Sequence, residues 1–60
     1  MKLVQVHELD GRPVWINADA ILRVLPIAEE GKIFTQIEFG GAFQRTTETV
    51  DEIVAKVQAT

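Results

Sequence analysis

Ile33-Phe34-Thr35-Gln36-Ile37-Glu38-Phe39-Gly40-Gly41-Ala42 decides the fold of this 60-residue chain. Ile33, Thr35, Ile37 and Phe39 alternate against Phe34, Gln36 and Glu38, the period of two that marks a half-buried strand. Gly40 and Gly41 then turn the chain into another extended run, Ala42 to about Thr46.

Toward the N-terminus the same grammar recurs. Lys2 to Leu9 is β-prone, with Val4 and Val6 on one face and Gln5 and His7 on the other. Asp10-Gly11 is a strong hairpin signal, read as a type I′ turn with both central residues at positive φ. Pro13 has no backbone donor, which suits the start of a strand, and Pro13 to Ile16 reads as one. Asn17-Ala18-Asp19-Ala20 interrupts the pattern, because Asn and Asp side chains bond nearby amides; Asn17 and Asp19 are expected to cap a turn or a single helical turn. Ile21 to Ile27 carries both strand and helix features, and the strand is preferred because Pro26 would break a helix that had barely begun. Ala28 to Lys32 reads as a polar loop.

Toward the C-terminus the period changes. Thr49-Val50-Asp51-Glu52 has the spacing of a capping box, in which Thr49 accepts from the amide of Glu52 and Glu52 reaches back to the amide of Thr49. Val50, Ile53, Val54 and Val57 then form one apolar stripe, and Glu52 and Lys56 have the spacing of a favourable pair. The expected fold is α+β: a small antiparallel β meander of about five short strands, in a single domain spanning residues 1–60, with one C-terminal helix packed on the sheet.

A chain of this size buries only about 60% of its unfolded surface, and small folds usually need disulfides, a metal or association. There is no Cys, and His7 is the sole His, which leaves association, as a dimer or larger. The hydrophobic fraction of 47% is that of a folded protein, not a disordered one. A net charge of −3, with Lys and Arg scattered singly, argues against a nucleic-acid-binding surface. No run has the length of a membrane span, and Met1-Lys2 does not lead into a signal-peptide core, so membrane insertion is not expected and a cytoplasmic location is.

The sequence holds no catalytic signature. Ser and Cys are missing, and His7 has only threonines for company. Glu29-Glu30 belongs to a glycine loop and Asp51-Glu52 to the helix cap, so neither pair reads as an acid–base site. No catalytic, cofactor or metal residue is assigned; the expectation is a non-enzyme without a cofactor. Trp15 reads as the main core filler, with an exposed anchor as the alternative. If Ile33, Ile37 and Phe39 face the helix, Phe34 points to the other side of the sheet. One helix covers one face, so Phe34, with Phe43 and Leu22, is the expected association patch. A strongly curled sheet that wraps both faces into one core is the alternative.

Leu9-Asp10-Gly11-Arg12, Ile16-Asn17-Ala18-Asp19-Ala20-Ile21, Thr35-Gln36-Ile37-Glu38-Phe39-Gly40-Gly41 and Thr47-Glu48-Thr49-Val50-Asp51-Glu52-Ile53 together resemble the FlbD family, also called SwrD, of small bacterial flagellar and swarming-motility proteins. The order and spacing agree over nearly the whole chain. The family usually has Asn where Asp10 stands, and a Pro-Asp-Thr-type loop in place of Pro26 to Lys32. The resemblance implies a motility accessory that acts by contact with an unidentified protein partner and with itself. It transfers no catalytic residue. The last hairpin and helix also resemble LytTR-type DNA-binding domains, which makes a nucleic-acid-binding regulatory module the competing function. A phage or mobile-element small protein with sheet-mediated assembly is a third.

Overall fold

The computed structural model describes residues 2–60. Its element order is β1 (Leu3–His7), β2 (Pro13–Asn17), a 3-10 turn (Ala18–Ala20), β3 (Arg23–Glu29), β4 (Lys32–Phe39), β5 (Ala42–Thr46) and α1 (Val50–Gln58). All strand pairing is antiparallel, and the meander is divided into a two-stranded sheet, β1-β2, and a three-stranded sheet, β3-β4-β5. The division falls at the 3-10 turn. There Asn17 Oδ1 accepts from the amide of Asp19 at 3.0 Å, so Asn17 is the cap and Asp19 enters through its backbone. Ile21 to Ile27 resolves as strand, with β3 starting at Arg23 and running on to Glu29.

Both sheets turn one face toward a shared core. Alternation puts Val4, Val6 and Ile16 of the first sheet and Ile37 of the second on the inside, where Ile53 of α1 joins them. Val14, Ala18, Ile21, Val24, Phe39 and Val57 close its margin. The capping box is formed as the sequence predicts: Glu52 N donates to Thr49 Oγ1 at 3.1 Å, and Thr49 N donates to Glu52 Oε1 at 2.9 Å. A helix of nine residues rich in β-branched side chains is weak alone, and here it is held by packing against β1 and β3.

Two turns differ from expectation. In the first hairpin only Gly11 has positive φ, at 91°. Its amide donates to Glu8 O at 2.8 Å, and Glu8 N donates to Arg12 O at 2.8 Å. This is a wider loop over Leu9-Asp10-Gly11, not a type I′ turn at Asp10-Gly11. The reason lies in the register: His7 pairs with Pro13, which leaves too many residues for a two-residue turn. Asp10 contributes by accepting from Arg12 N at 3.0 Å and Arg12 Nε at 2.7 Å. The double positive φ occurs instead at Glu30 (52°) and Gly31 (74°), between Glu29 and its partner Lys32. The expected polar loop over Ala28 to Lys32 is thus strand on both sides of a two-residue turn. Gly40-Gly41 joins β4 to β5 as expected, with Phe39 opposite Ala42.

Three side-chain expectations are corrected. Trp15 is 58% exposed and is not the core filler; it lies on the face of β2 opposite Ile16. Ile33 shares the inner parity of Ile37 but is 79% exposed, because the β3–β4 hairpin extends beyond the core. Lys56 does not turn to Glu52. Its Nζ donates to Gln5 O at 2.7 Å and so ties α1 to β1.

Candidate interaction surface

The outer face of the three-stranded sheet is a ladder of cross-strand neighbours. The register sets Arg23, Glu38 and Phe43 in one row, Leu25, Gln36 and Arg45 in the next, and Ile27 with Phe34 in a third. The polar members are bonded in a chain. Arg23 Nε donates to Glu38 Oε1 at 2.5 Å, Gln36 Nε2 donates to Glu38 Oε2 at 2.8 Å, and Arg45 Nε donates to Gln36 Oε1 at 3.3 Å. The Arg23 guanidinium, then the Gln36 amide, hold the Glu38 carboxyl below its ordinary pKa. Glu38 in turn raises that of Arg23.

Arg45 is the centre of this face. Its guanidinium carbon lies 5.1 Å from the ring centroid of Phe34 and 5.5 Å from that of Phe43, within reach of attraction to both ring faces. Phe43 is 59% exposed, and Phe34 is half-buried beneath its neighbours. The sheet therefore brings Phe34 and Phe43 onto one surface. It does not bring Leu22 there: Leu22 precedes Arg23, so alternation sends it to the other side, 71% exposed. Beside Phe43 and Arg45, an open groove of about 410 Å³ runs to Glu8, Leu9, Asp10 and Arg12 of the first hairpin loop. Trp15 belongs to a separate surface, the outer face of β1-β2, with exposed Leu3 and Gln5.

A second cluster joins the two sheets and was not foreseen. Glu48, in the link between β5 and α1, is 8% exposed. Its Oε1 accepts from His7 N at 2.8 Å and from Thr46 Oγ1 at 2.5 Å, and its Oε2 lies 2.6 Å from His7 Nδ1. Lys56 Nζ stands 3.8 Å away. Burial alone would raise the Glu48 pKa, but the Thr46 hydroxyl and the ring and amide of His7 overcome it and bring it down to about 2. An ionised carboxylate only accepts, so His7 Nδ1 carries the proton in this contact. Thr47 N also donates to His7 O at 3.1 Å. The cluster ties β1 to the end of β5. Local sequence could not reveal it, because His7 and Glu48 are 41 positions apart.

Among the described residues, no three His, Cys, Asp or Glu side chains are grouped to hold a metal, and no helix is long and apolar enough to cross a membrane. No family model, curated protein or solved structure matches the chain.

Proposed function

We propose that the chain is a non-enzymatic protein–protein interaction module, which presents the outer face of β3–β5 to a protein partner and also associates with itself. The observation that carries this reading is the Arg45 guanidinium seated between Phe34 and Phe43, in a ladder whose polar groups already satisfy one another. Aromatic and Arg side chains dominate binding hot spots, and side chains held in place before contact lose little entropy on binding. Among the described residues, five fully or nearly buried apolar side chains form a small core, while Trp15, Leu22, Ile33 and Phe43 stand in solvent, which favours a life in contact with other surfaces.

The resemblance to FlbD proteins extends the reading to a flagellar or swarming accessory acting in the cytoplasm. The test is complementation of a strain of the source organism that lacks the chain. Wild type restores swarming, and Phe43→Glu, folded by circular dichroism and equally abundant, does not. A deletion strain with normal motility removes the flagellar part of the reading; full complementation by Phe43→Glu removes the proposed face. A salt-dependent shift of duplex DNA by the chain would replace both with nucleic-acid binding.

A further inference from the structure

A two-stranded sheet has two edges, and in this fold they are treated differently. Lys2 O accepts from Ala18 N, and Glu8 N donates to Arg12 O, so the even-numbered residues of β1 bond to the even-numbered residues of β2. The backbone groups of the odd-numbered residues therefore point outward. On β1 three of these are taken from the middle of the strand to its end: His7 N by Glu48, His7 O by Thr47 and Gln5 O by Lys56. On β2 the groups of Pro13, Trp15 and Asn17 face the other way, and among the described residues the Trp15 amide and carbonyl make no hydrogen bond within the chain.

Exposed edges invite pairing unless charge, proline or a cover protects them. The outer edge of β3 has Pro26 at its middle and Arg23 and Glu29 at its ends. Pro13-Val14-Trp15-Ile16-Asn17 has no charge at all, and its proline stands at the first position only. We propose that a second copy of this chain pairs with the free edge of β2, antiparallel and centred on Trp15, so that the two hairpins form one four-stranded sheet. This rests on the self-association part of the functional reading and uses a different surface from the β3–β5 face.

The edge is complementary to itself. In this register the Trp15 amide and carbonyl meet those of the other Trp15, and the Asn17 amide meets the carbonyl of Pro13, the one group that proline still offers. The two Trp15 side chains become neighbours on the outer face, and each Val14 lies beside the Ile16 of the other copy at the margin of the joined cores. Arg12, whose side chain is largely exposed, is brought toward Asp19 of the other copy, opposite in charge. One short strand with its tryptophan makes an interface below about 1,200 Å², the size of weak complexes, so the dimer forms in the micromolar range and above.

The chain has no Cys, so a single introduced thiol reports the register directly. Antiparallel bonded partners have Cα atoms about 5.5 Å apart, inside the disulfide range of about 4.4–6.8 Å. Trp15→Cys is expected to give a disulfide-linked dimer under mild oxidation, and Phe43→Cys to give no disulfide link in the same conditions. In sedimentation equilibrium, Trp15→Asp should weaken the wild-type dimer at least about tenfold with an unchanged circular dichroism spectrum, while Phe43→Glu leaves it intact. If Trp15→Asp unfolds, Trp15→Gln takes its place. A dimer weakened by Phe43→Glu but not at position 15, or crosslinked at 43 but not at 15, overturns the β2 pairing and leaves self-association standing. A monomer at every concentration up to about 1 mM overturns both.

Discussion

Glu48 receives the backbone amide of His7 on one carboxylate oxygen and its ring on the other, at 2.8 and 2.6 Å, across the boundary between the two sheets. A single buried carboxylate thus fixes β1 against the segment that leads into α1. Replacing one partner of such a group leaves the others buried and unsatisfied, and a chain of this size has only about 3–5 kcal/mol in hand.

Glu48→Gln should therefore destabilise the fold by roughly 2–3 kcal/mol, since the amide cannot accept from all three donors on equal terms. Thr46→Val, which keeps the shape but removes a donor to the carboxylate and the acceptor of the Glu48 amide, should lose about 1–2 kcal/mol. Urea unfolding followed by helix signal measures both. Equal and negligible effects would show that the cluster contributes nothing to stability.

Acid should unfold the protein in a defined window. Despite its burial, the Thr46 hydroxyl and His7 hold the Glu48 carboxyl at about 2 in the folded state, against an ordinary 4.5. Between those values the unfolded chain is protonated at this site and the folded chain is not, so stability rises with pH across the window. The contribution is fully present above about pH 4.5 and disappears as pH falls toward 2, with a total on the order of 3 kcal/mol. Thermal melts from pH 7 down to 2 should show the steepest fall in Tm there, and Glu48→Gln should flatten it.

The turn glycines separate by backbone conformation and not by crowding, because an added Cβ meets nothing within 4 Å at Gly31 or at Gly40. Gly31 has a φ of 74°. Gly31→Ala should be destabilising by about 1 kcal/mol, and Gly40→Ala should be close to neutral. Glu30→Asn should gain a few tenths of a kcal/mol, since Asn accepts the φ of 52° seen there more readily than Glu.

Ile53 and Ile33 are a matched pair for the core. Ile53 is almost wholly enclosed and Ile33 almost wholly open. Ile53→Ala should remove about 2–5 kcal/mol and with it most of the folded population at 37 °C. Ile33→Ala should change stability by no more than about 0.5 kcal/mol. Comparable effects at the two sites would contradict the assigned core.

What was readable in the residues is what depends on near neighbours. The alternation from Ile33 to Phe39, the Gly40-Gly41 turn, the Asn17 cap and the Thr49–Glu52 box are each decided within a few positions, and each is present. Trp15 depends on something distant. Its strand faces the core through Ile16, and whether the opposite side is covered is decided by where the second sheet ends. Glu48 carries no signal among its near neighbours, because its partner His7 lies at the other end of the chain. Ala28 to Lys32 looked like a loop because its charges conceal a strand pair that closes on Glu30-Gly31. Alternation puts Phe34 on the outer side and Phe43 shares it as expected, whereas Leu22 falls on the other side and the Arg45 between the two rings emerges only from the register.

The β3–β4 hairpin outruns its neighbour: Ile27, Ala28 and Glu29 pair with Phe34, Ile33 and Lys32, and β5 stops short at the level of Thr35. Those last rungs lack a third strand and a core beneath them. Amide protons there should trade with deuterium well before those of Val4, Val6 or Ile37, by fraying of the tip alone, and a protease would find its first cut at the same end.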